Sequence, residues 1–103
     1  LKKARQGLCP QDITLLLSHA ATTAEKAEEL DYTLQLSGHT HGGQLCLPGG
    51  IPIVKGATPR KRVKGPWLHQ RLLGYTSRGI GASHIPARLF CPPEITLHTL
   101  KEG

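Results

Sequence analysis

The pattern of apolar and polar positions predicts a strand, a helix and a second strand in the first forty residues. The segment DITLLLSH, residues 12 to 19, is a continuous apolar run with a polar end, which is typical of a strand covered on both faces. In TTAEKAEEL, alanine and leucine recur every three or four residues, and Thr22 and Glu25 have capping-box spacing, so a short helix is predicted. DYTLQLSG, residues 31 to 38, alternates as a half-buried strand does.

This order is that of a βαβ unit, in which the two strands run parallel. The carboxyl ends of parallel strands open at one edge of the sheet, where open α/β sheets bind their ligands. The first strand ends at His19, and the second is followed by His39 and His41. We therefore expect these histidines to approach one another at that edge.

The remainder of the chain has shorter apolar runs separated by glycine and proline. QLCLP, residues 44 to 48, predicts a brief strand, and PGGIPIVKGATP, residues 48 to 59, predicts turns. LLGYTSRGIG, residues 72 to 81, predicts a strand that enters a glycine loop. EITLHTL, residues 94 to 100, predicts a strand that forms a hairpin with it or lies beside it. The expected fold class is α/β, with the βαβ unit followed by mainly β structure.

The loop LSGHTHGGQ carries the candidate chemistry. Glycine permits sharp bends and a close approach of the backbone to an ion, and imidazole suits zinc, iron, nickel and manganese. The histidines have three possible interpretations: one of them only hydrogen-bonds within the loop, they form a single zinc site with one open position, or they are ligands to two metals. The candidate ligands are His19, His39 and His41, and the residues expected to shape the loop are Gly38, Gly42, Gly43 and Gln44.

Charge supports an alternative function. The 103-residue chain has a formal net charge of +6, much of it in residues 1 to 5 and 59 to 66, which favours phosphate, nucleic acid or an anionic membrane surface. The chain could thus be a small basic module for nucleic acid or anionic lipid, with structural histidines. The aromatic content of 4% leaves few platforms for base stacking, which argues against nucleic acid, whereas a membrane surface stays open as a partner.

The cysteine spacing, the first residue and the hydropathy of the chain each favour or exclude particular structural features. Cys9, Cys46 and Cys91 are far apart and form no CxxC pair, so we expect reduced, partly buried thiols rather than a disulfide framework or a cysteine zinc site. The chain begins with Leu1 and contains no methionine, which favours a fragment or a processed product. No stretch approaches the roughly 18 apolar residues of a membrane span.

Four motifs together resemble a known family. LLLSH, LSGHTHGGQ, YTSRGIG and PPEITLHTL resemble the C-terminal half of a bacterial calcineurin-like metallophosphoesterase, over roughly residues 12 to 100. The resemblance implies that residues 1 to 103 are the C-terminal portion of a four-layer αββα sandwich. It also implies a hydrolase with two divalent ions of the Mn, Zn, Fe or Ni type. A metal-held water or hydroxide would attack the phosphorus of a phosphate ester or pyrophosphate.

Carried over by position, the resemblance makes His19 and His39 ligands of one ion and His41 a ligand of the other. Apart from the resemblance, Arg78 in the SRG motif and Arg88 are candidate contacts for the substrate phosphate, because a guanidinium group matches phosphate oxygens; Arg88 could equally be a surface residue, and Arg78 is favoured. The family's other ligand motifs, DxH, GDxxD and GNHE, do not occur in the chain, and no catalytic residue is assigned in this half. Three neutral imidazoles compensate two dications poorly, so we expect weak or partial metal binding and little or no phosphatase activity from this part alone.

The resemblance also implies partners. Half of a sandwich leaves apolar sheet surface and strand edges uncovered, so we expect association with the N-terminal half or with a second copy, besides the phosphate-containing substrate. The expected location is the bacterial cytoplasm or the membrane periphery.

Overall fold

The computed structural model describes residues 1 to 101, which form one mixed four-stranded sheet, a two-stranded hairpin and one short α-helix. The helix α1 is Ala24–Glu29, and short 3-10 turns lie at Lys3–Arg5, Ala21–Thr23, His41–Gly43 and Arg60–Arg62. The strands are β1 (Leu15–Ser18), β2 (Leu34–Ser37), β3 (Cys46–Leu47), β4 (Ile51–Pro52), β5 (Gly65–His69) and β6 (Leu72–Thr76). No helix in residues 1 to 101 is long and apolar enough to cross a membrane.

The sheet has the order β1-β2-β6-β5, and β3 pairs only with β4. β1, β2 and β6 are mutually parallel, while β5 is antiparallel to β6. The predicted βαβ unit is therefore confirmed, as are the brief strand in QLCLP and the strand that begins at Leu72. After β2 the chain makes a long excursion through the histidine loop and the hairpin before β6 returns beside β2.

One face of the sheet is covered by α1. Ala24 and Ala27 are fully buried and pack with Leu16, Trp67 and Leu72. Small alanine side chains let the helix lie close to the sheet. Trp67 fills the adjoining space and donates a hydrogen bond from Nε1 to Thr76 Oγ1 at 2.9 Å. This face holds the hydrophobic core.

The opposite face is open, which contradicts the prediction that β1 is covered on both sides. Leu16 is buried, but Leu17 is 73% exposed and Leu15 is 44% exposed. In β2 the buried residues are the polar Gln35 and Ser37, because they face α1 and the residues before it. Gln35 Nε2 donates to Ala20 O at 3.3 Å and to Thr23 Oγ1 at 3.0 Å. The apolar run of β1 thus supplies one buried and one open face.

The helix starts differently from the capping-box prediction. The N-cap of α1 is Thr23, and its side chain makes no capping hydrogen bond. Glu25 instead accepts a hydrogen bond from Arg62 Nη2 at 2.6 Å, which lowers the pKa of Glu25 to about 2. The basic segment that follows the hairpin is thereby tied to the helix.

The strand predicted for residues 94 to 100 is absent, since all of these residues are described and none of them is in a strand. Its expected partner, β6, is hydrogen-bonded to β2 on one side and to β5 on the other, so no edge of β6 is free. β5, residues GPWLH, was missed because its glycine and proline resemble the end of the preceding loop.

Candidate metal-binding site

Two of the candidate histidines are in contact at the carboxyl edge of the sheet. His19 follows β1 and His39 follows β2, and the parallel pairing brings His19 Nε2 to 2.8 Å from His39 Nδ1. Gly38 N donates to His19 O at 3.1 Å, which holds the two strand ends together beyond the ladder. His39 has a φ of 71°, the left-handed region. The contact expected from the βαβ arrangement is thus present in the structure.

His41 lies in the tight turn that follows. Thr40 Oγ1 accepts a hydrogen bond from Gly42 N at 3.2 Å and donates one to Val63 O at 2.5 Å. These bonds fasten the turn to the chain just before β5. The side chains of His39 and His41 then line the same cavity. The sequence offered no signal for the role of Thr40, because its partner is 23 residues away.

Two of the loop glycines have no room for a side chain. A Cβ on Gly42, at a φ of 66°, would lie 2.5 Å from Arg78 Cγ and 2.7 Å from Cys91 Sγ. A Cβ on Gly43, at a φ of 94°, would lie 2.6 Å from Pro52 Cβ. Gly38 has open space around it and an ordinary φ. The close approach therefore occurs at Gly42 and Gly43, where the turn is packed between the hairpin and the segment after β6.

Gln44 joins the histidine loop to the segment after β6. Its Nε2 donates to Ser83 O at 3.0 Å and to Ile85 O at 2.8 Å, and its Oε1 accepts from Ser83 N at 2.8 Å. The side chain is buried, and all of these bonds span about forty residues of sequence. Gln44 thereby fixes the wall that faces His41.

Arg88 organises the same region through backbone carbonyls. Its guanidinium donates to His41 O at 3.1 Å and to Cys91 O at 3.2 Å. Further bonds reach the carbonyls of residues 78, 79 and 81. Sequence reasoning offered Arg88 as a phosphate contact or a surface residue. The structure shows instead that its donors hold three loop segments together.

Arg78 is anchored by Glu94. Arg78 Nε donates to Glu94 Oε2 at 2.6 Å, while Tyr75 Oη and Thr96 Oγ1 each donate to Glu94 Oε1 at 2.5 Å. Burial raises the pKa of Glu94, but the hydrogen bonds from Thr96, Tyr75 and Arg78 outweigh it and bring the pKa to about 2. Glu94 was not a sequence candidate, and it fixes the Arg78 side chain where it packs on the histidine loop.

Cys46 and Cys91 lie beneath the histidine turn. Both are buried and both contact Gly42 O through sulfur, at 3.5 Å and 3.4 Å. Burial, and the neighbouring Cys91 thiol, raise the pKa of Cys46. These two cysteines match the expected buried thiols, whereas Cys9 is exposed, because it belongs to the loop before β1.

An open cavity of about 370 Å³ adjoins the histidine loop. One wall carries the His39 and His41 side chains, and the opposite walls come from residues 54 to 56, after the hairpin, and from residues 83 to 85. Lys55 and His84 add polar groups, and Leu45, Val54 and Ile85 make the lining partly apolar. The lining of the cavity therefore combines polar and apolar groups.

Known proteins resemble the chain over most of its length. It is 39% identical over 88 residues to the uncharacterized metallophosphoesterase YkuE of Bacillus subtilis, a match over 85% of this chain and 31% of that protein. It is 36% identical over 84 residues to the phosphodiesterase YaeI of Escherichia coli, over 81% of this chain and 30% of that protein. This chain is a relative of the metallophosphoesterases. It spans about a third of the length of these relatives.

A third metallophosphoesterase, YkoQ of Bacillus subtilis, is 33% identical over 88 residues, over 84% of this chain and 33% of that protein. No protein-family model matches the chain. No solved structure matches it either. The relationship therefore rests on sequence, and the structure adds the α/β fold with its mixed sheet.

The name metallophosphoesterase implies divalent metal, and the residues present fit a metal in part. Two imidazole nitrogens on one tetrahedral ion lie about 3.3 Å apart, so the 2.8 Å between His19 and His39 is close to that spacing. Within residues 1 to 101, however, no group of three or more His, Cys, Asp or Glu side chains is placed to hold an ion. The convergent pair supplies part of a site.

Proposed function

We propose that this chain contributes the histidine-bearing part of the active site of a metallophosphoesterase that hydrolyses a phosphate ester or a pyrophosphate bond. The contact between His19 and His39 at the carboxyl ends of two parallel strands supports this proposal most strongly. Divalent ions, when bound, would polarise phosphoryl oxygens and activate a water molecule for attack on phosphorus. His19 and His39 would hold one ion, and His41 would hold a second.

The surrounding residues give these histidines fixed positions. Thr40, Gln44 and Arg88 bind the loop to three other segments, so the imidazoles need little reordering when a ligand arrives. His19 Nε2 and His39 Nδ1 lie at hydrogen-bond distance from each other, 2.8 Å. An ion bound by both nitrogens would require each imidazole to be neutral and to carry its proton on its other ring nitrogen.

Arg78 is the proposed contact for the substrate phosphate. Glu94 engages its Nε, which orients the guanidinium plane and leaves the Nη groups without a hydrogen bond among the described residues. The side chain is 29% exposed and packs against Gly42 in the histidine turn. A guanidinium held in this way suits a phosphate oxygen better than a mobile lysine would.

The charge balance suggests that the site is completed outside this chain. The ligands found here are neutral imidazoles, and two dications need carboxylate partners. The relatives are about three times longer than the matched region, which leaves room for such residues. We expect the chain alone to bind Mn²⁺ weakly and to hydrolyse phosphate esters slowly or not at all.

The first test uses the full-length protein. His39→Ala should lower bound metal, measured by mass spectrometry, and should reduce hydrolysis of bis(p-nitrophenyl) phosphate by about 100-fold or more. His98→Ala is the matched control, since His98 is exposed and packs edge-on against Tyr75. If His39→Ala keeps both its metal content and its activity, the assignment is wrong. A circular dichroism spectrum shows whether each variant is folded.

A further inference from the structure

The hairpin formed by β3 and β4 exposes a group of apolar side chains beside the cavity. Its tip, defined here as residues 47 to 54, places Leu47 and Ile51 opposite each other across the two strands. Ile53 and Val54 continue the apolar run. These four side chains are between 46% and 69% exposed. A cluster of this kind at the end of a short hairpin indicates an interaction surface rather than scattered surface hydrophobics.

The hairpin tip has a defined shape. Gly50 N donates to Leu47 O at 3.0 Å, closing the turn, and Ile53 N donates to Leu45 O at 3.2 Å. Lys64 Nζ donates to Gly50 O, which ties the turn to the residue before β5. The apolar side chains are thus presented on an ordered projection.

Cations follow the hairpin tip in the sequence, and one of them contacts it. Lys55 follows it directly, Lys64 contacts its turn, and Arg60 and Lys61 are exposed on the next 3-10 turn. The sequence contains no acidic residue between Asp31 and Glu94. The apolar tip is therefore followed by a positively charged segment, in which Arg62 is paired with Glu25 and Arg60 and Lys61 are exposed. That combination matches an anionic lipid surface, where apolar groups enter the headgroup region and lysines remain in water.

Charge argues against two other occupants. A second copy of the chain would bring the same positive segment, so pairing of the two tips would be repulsive. Nucleic acid would meet the cations, but residues 45 to 64 contain no aromatic side chain on which a base could stack. Anionic lipid satisfies both the apolar tip and the positive segment.

The hairpin tip is also continuous with the cavity. Val54 and Lys55 line the cavity whose other wall carries His39 and His41. A membrane bound at the tip would therefore lie beside a cavity whose lining includes these histidines. The lining combines apolar side chains with Lys55 and His84, as an ester with an acyl-bearing leaving group would require.

We propose that residues 47 to 54 insert into the headgroup region of an anionic bilayer, with Lys55, Arg60 and Lys61 at its surface, and that the substrate is a phosphate ester carried by a membrane lipid. The membrane-binding part stands independently of catalysis. The substrate part rests on the proposed function.

The binding test is sedimentation of the full-length protein with vesicles of phosphatidylcholine, with and without phosphatidylglycerol. Binding should require phosphatidylglycerol. Leu47→Ser/Ile53→Ser should lower the partition coefficient about tenfold or more through lost apolar contact. Arg60→Gln/Lys61→Gln should lower it about 30-fold, since each surface cation contributes roughly 1 kcal/mol. Arg62 is left unchanged because it binds Glu25.

Matched controls exist for both variants. Ile95→Ser/Leu97→Ser removes two apolar side chains that are 87% and 91% exposed on the C-terminal segment, and it should bind as the unaltered protein does. Lys2→Gln/Lys3→Gln removes two exposed charges far from the hairpin in sequence and should have the smaller effect. Thermal melting confirms that all variants fold. Absence of vesicle binding, equal losses in variant and control, or binding to duplex DNA in place of vesicles would overturn the proposal.

A second measurement separates substrate class from catalysis. Phosphatidic acid in vesicles and a water-soluble short-chain phosphatidic acid serve as probes, with phosphate release as the readout. We expect faster release from vesicles, and loss of that preference in Leu47→Ser/Ile53→Ser. Release from the soluble ester alone would overturn the lipid-substrate part and leave the phosphoesterase function standing. No release from either probe, with hydrolysis of bis(p-nitrophenyl) phosphate intact, would also overturn the lipid-substrate part, whereas loss of that hydrolysis as well would count against the phosphoesterase function.

Discussion

At the scale of single residues, substitution of Gly42 is predicted to lower the stability of the fold. Gly42→Ala must place a methyl group 2.5 Å from Arg78 Cγ and 2.7 Å from Cys91 Sγ while keeping a φ of 66°. The left-handed backbone costs about 1 to 2 kcal/mol and the overpacking about 1 to 3 kcal/mol, so the free energy of unfolding should fall by roughly 2 to 5 kcal/mol. Urea denaturation measures it. Gly38→Ala, which meets open space, is the control and should change stability by under about 1 kcal/mol.

Arg88 yields a second prediction at this scale. Arg88→Gln removes the charged donors that serve the carbonyls of His41 and Cys91 and of the glycine loop after β6. We expect a loss of about 2 to 4 kcal/mol in unfolding free energy, because hydrogen bonds from charged groups are strong and some of these carbonyls become buried and unpaired. Arg60→Gln, at an exposed position, should stay within about 0.5 kcal/mol. Equal midpoints in urea for the two variants would contradict this role of Arg88.

At the scale of elements, periodicity predicted β1, α1, β2 and β6 because each is a local pattern. It could not predict which side of β2 is covered. Gln35 and Ser37 are buried because α1 and the residues before it offer them hydrogen-bond partners, a fact of tertiary packing. The strand predicted at residues 94 to 100 failed for a similar reason, since both edges of β6 are occupied.

In the candidate site, as in the fold, the sequence predicted some features and could not predict others. His19 and His39 could be brought together from sequence, because parallel strands align their carboxyl ends. The supporting contacts could not be predicted. Glu94 on Arg78 and Gln44 on Ser83 join segments 16 and 39 residues apart, and neither pair has a periodic signature. The sequence therefore predicted the candidate ligands, but it did not predict the residues that hold them in place.

The C-terminal segment provides an element-scale prediction on pH. Glu94 links this segment to β6, and its pKa of about 2 lies below its ordinary value of 4.5. A lowered pKa means that the ionised carboxylate stabilises the fold above about pH 4.5, and that this contribution is lost as the pH falls towards 2. Glu94→Gln should cost about 2 kcal/mol at neutral pH and flatten the acid branch of the stability curve. Identical curves for the variant and the unaltered chain would contradict it.

At the scale of the whole molecule, the most prominent feature is the sheet face that α1 does not cover. The register aligns two apolar rows across all four strands: Leu15, Leu34, Leu73 and Leu68, and Leu17, Leu36, Tyr75 and Pro66. These rows lie on the face opposite α1, and Leu17 and Leu68 are 73% and 66% exposed. An apolar sheet face with leucines this exposed is typical of a surface that another layer covers. The relatives' greater length is consistent with such a layer, and we propose that the rest of the metallophosphoesterase domain supplies it.

The last prediction follows from that face. The isolated chain should associate with itself as its concentration rises, because pairing two open faces removes leucine surface from water at about 25 cal/mol per Å². Analytical ultracentrifugation should show Leu17→Gln/Leu73→Gln to be monomeric. Ile80→Gln, on the loop after β6, should associate as the unaltered chain does. The positive hairpin tip cannot drive this pairing, since tip-to-tip contact is repulsive, so Leu47→Ser/Ile53→Ser should also still associate. Monomeric behaviour of the unaltered chain at high concentration would show that the face is stable in water. In that case no covering layer would be needed to explain its leucines.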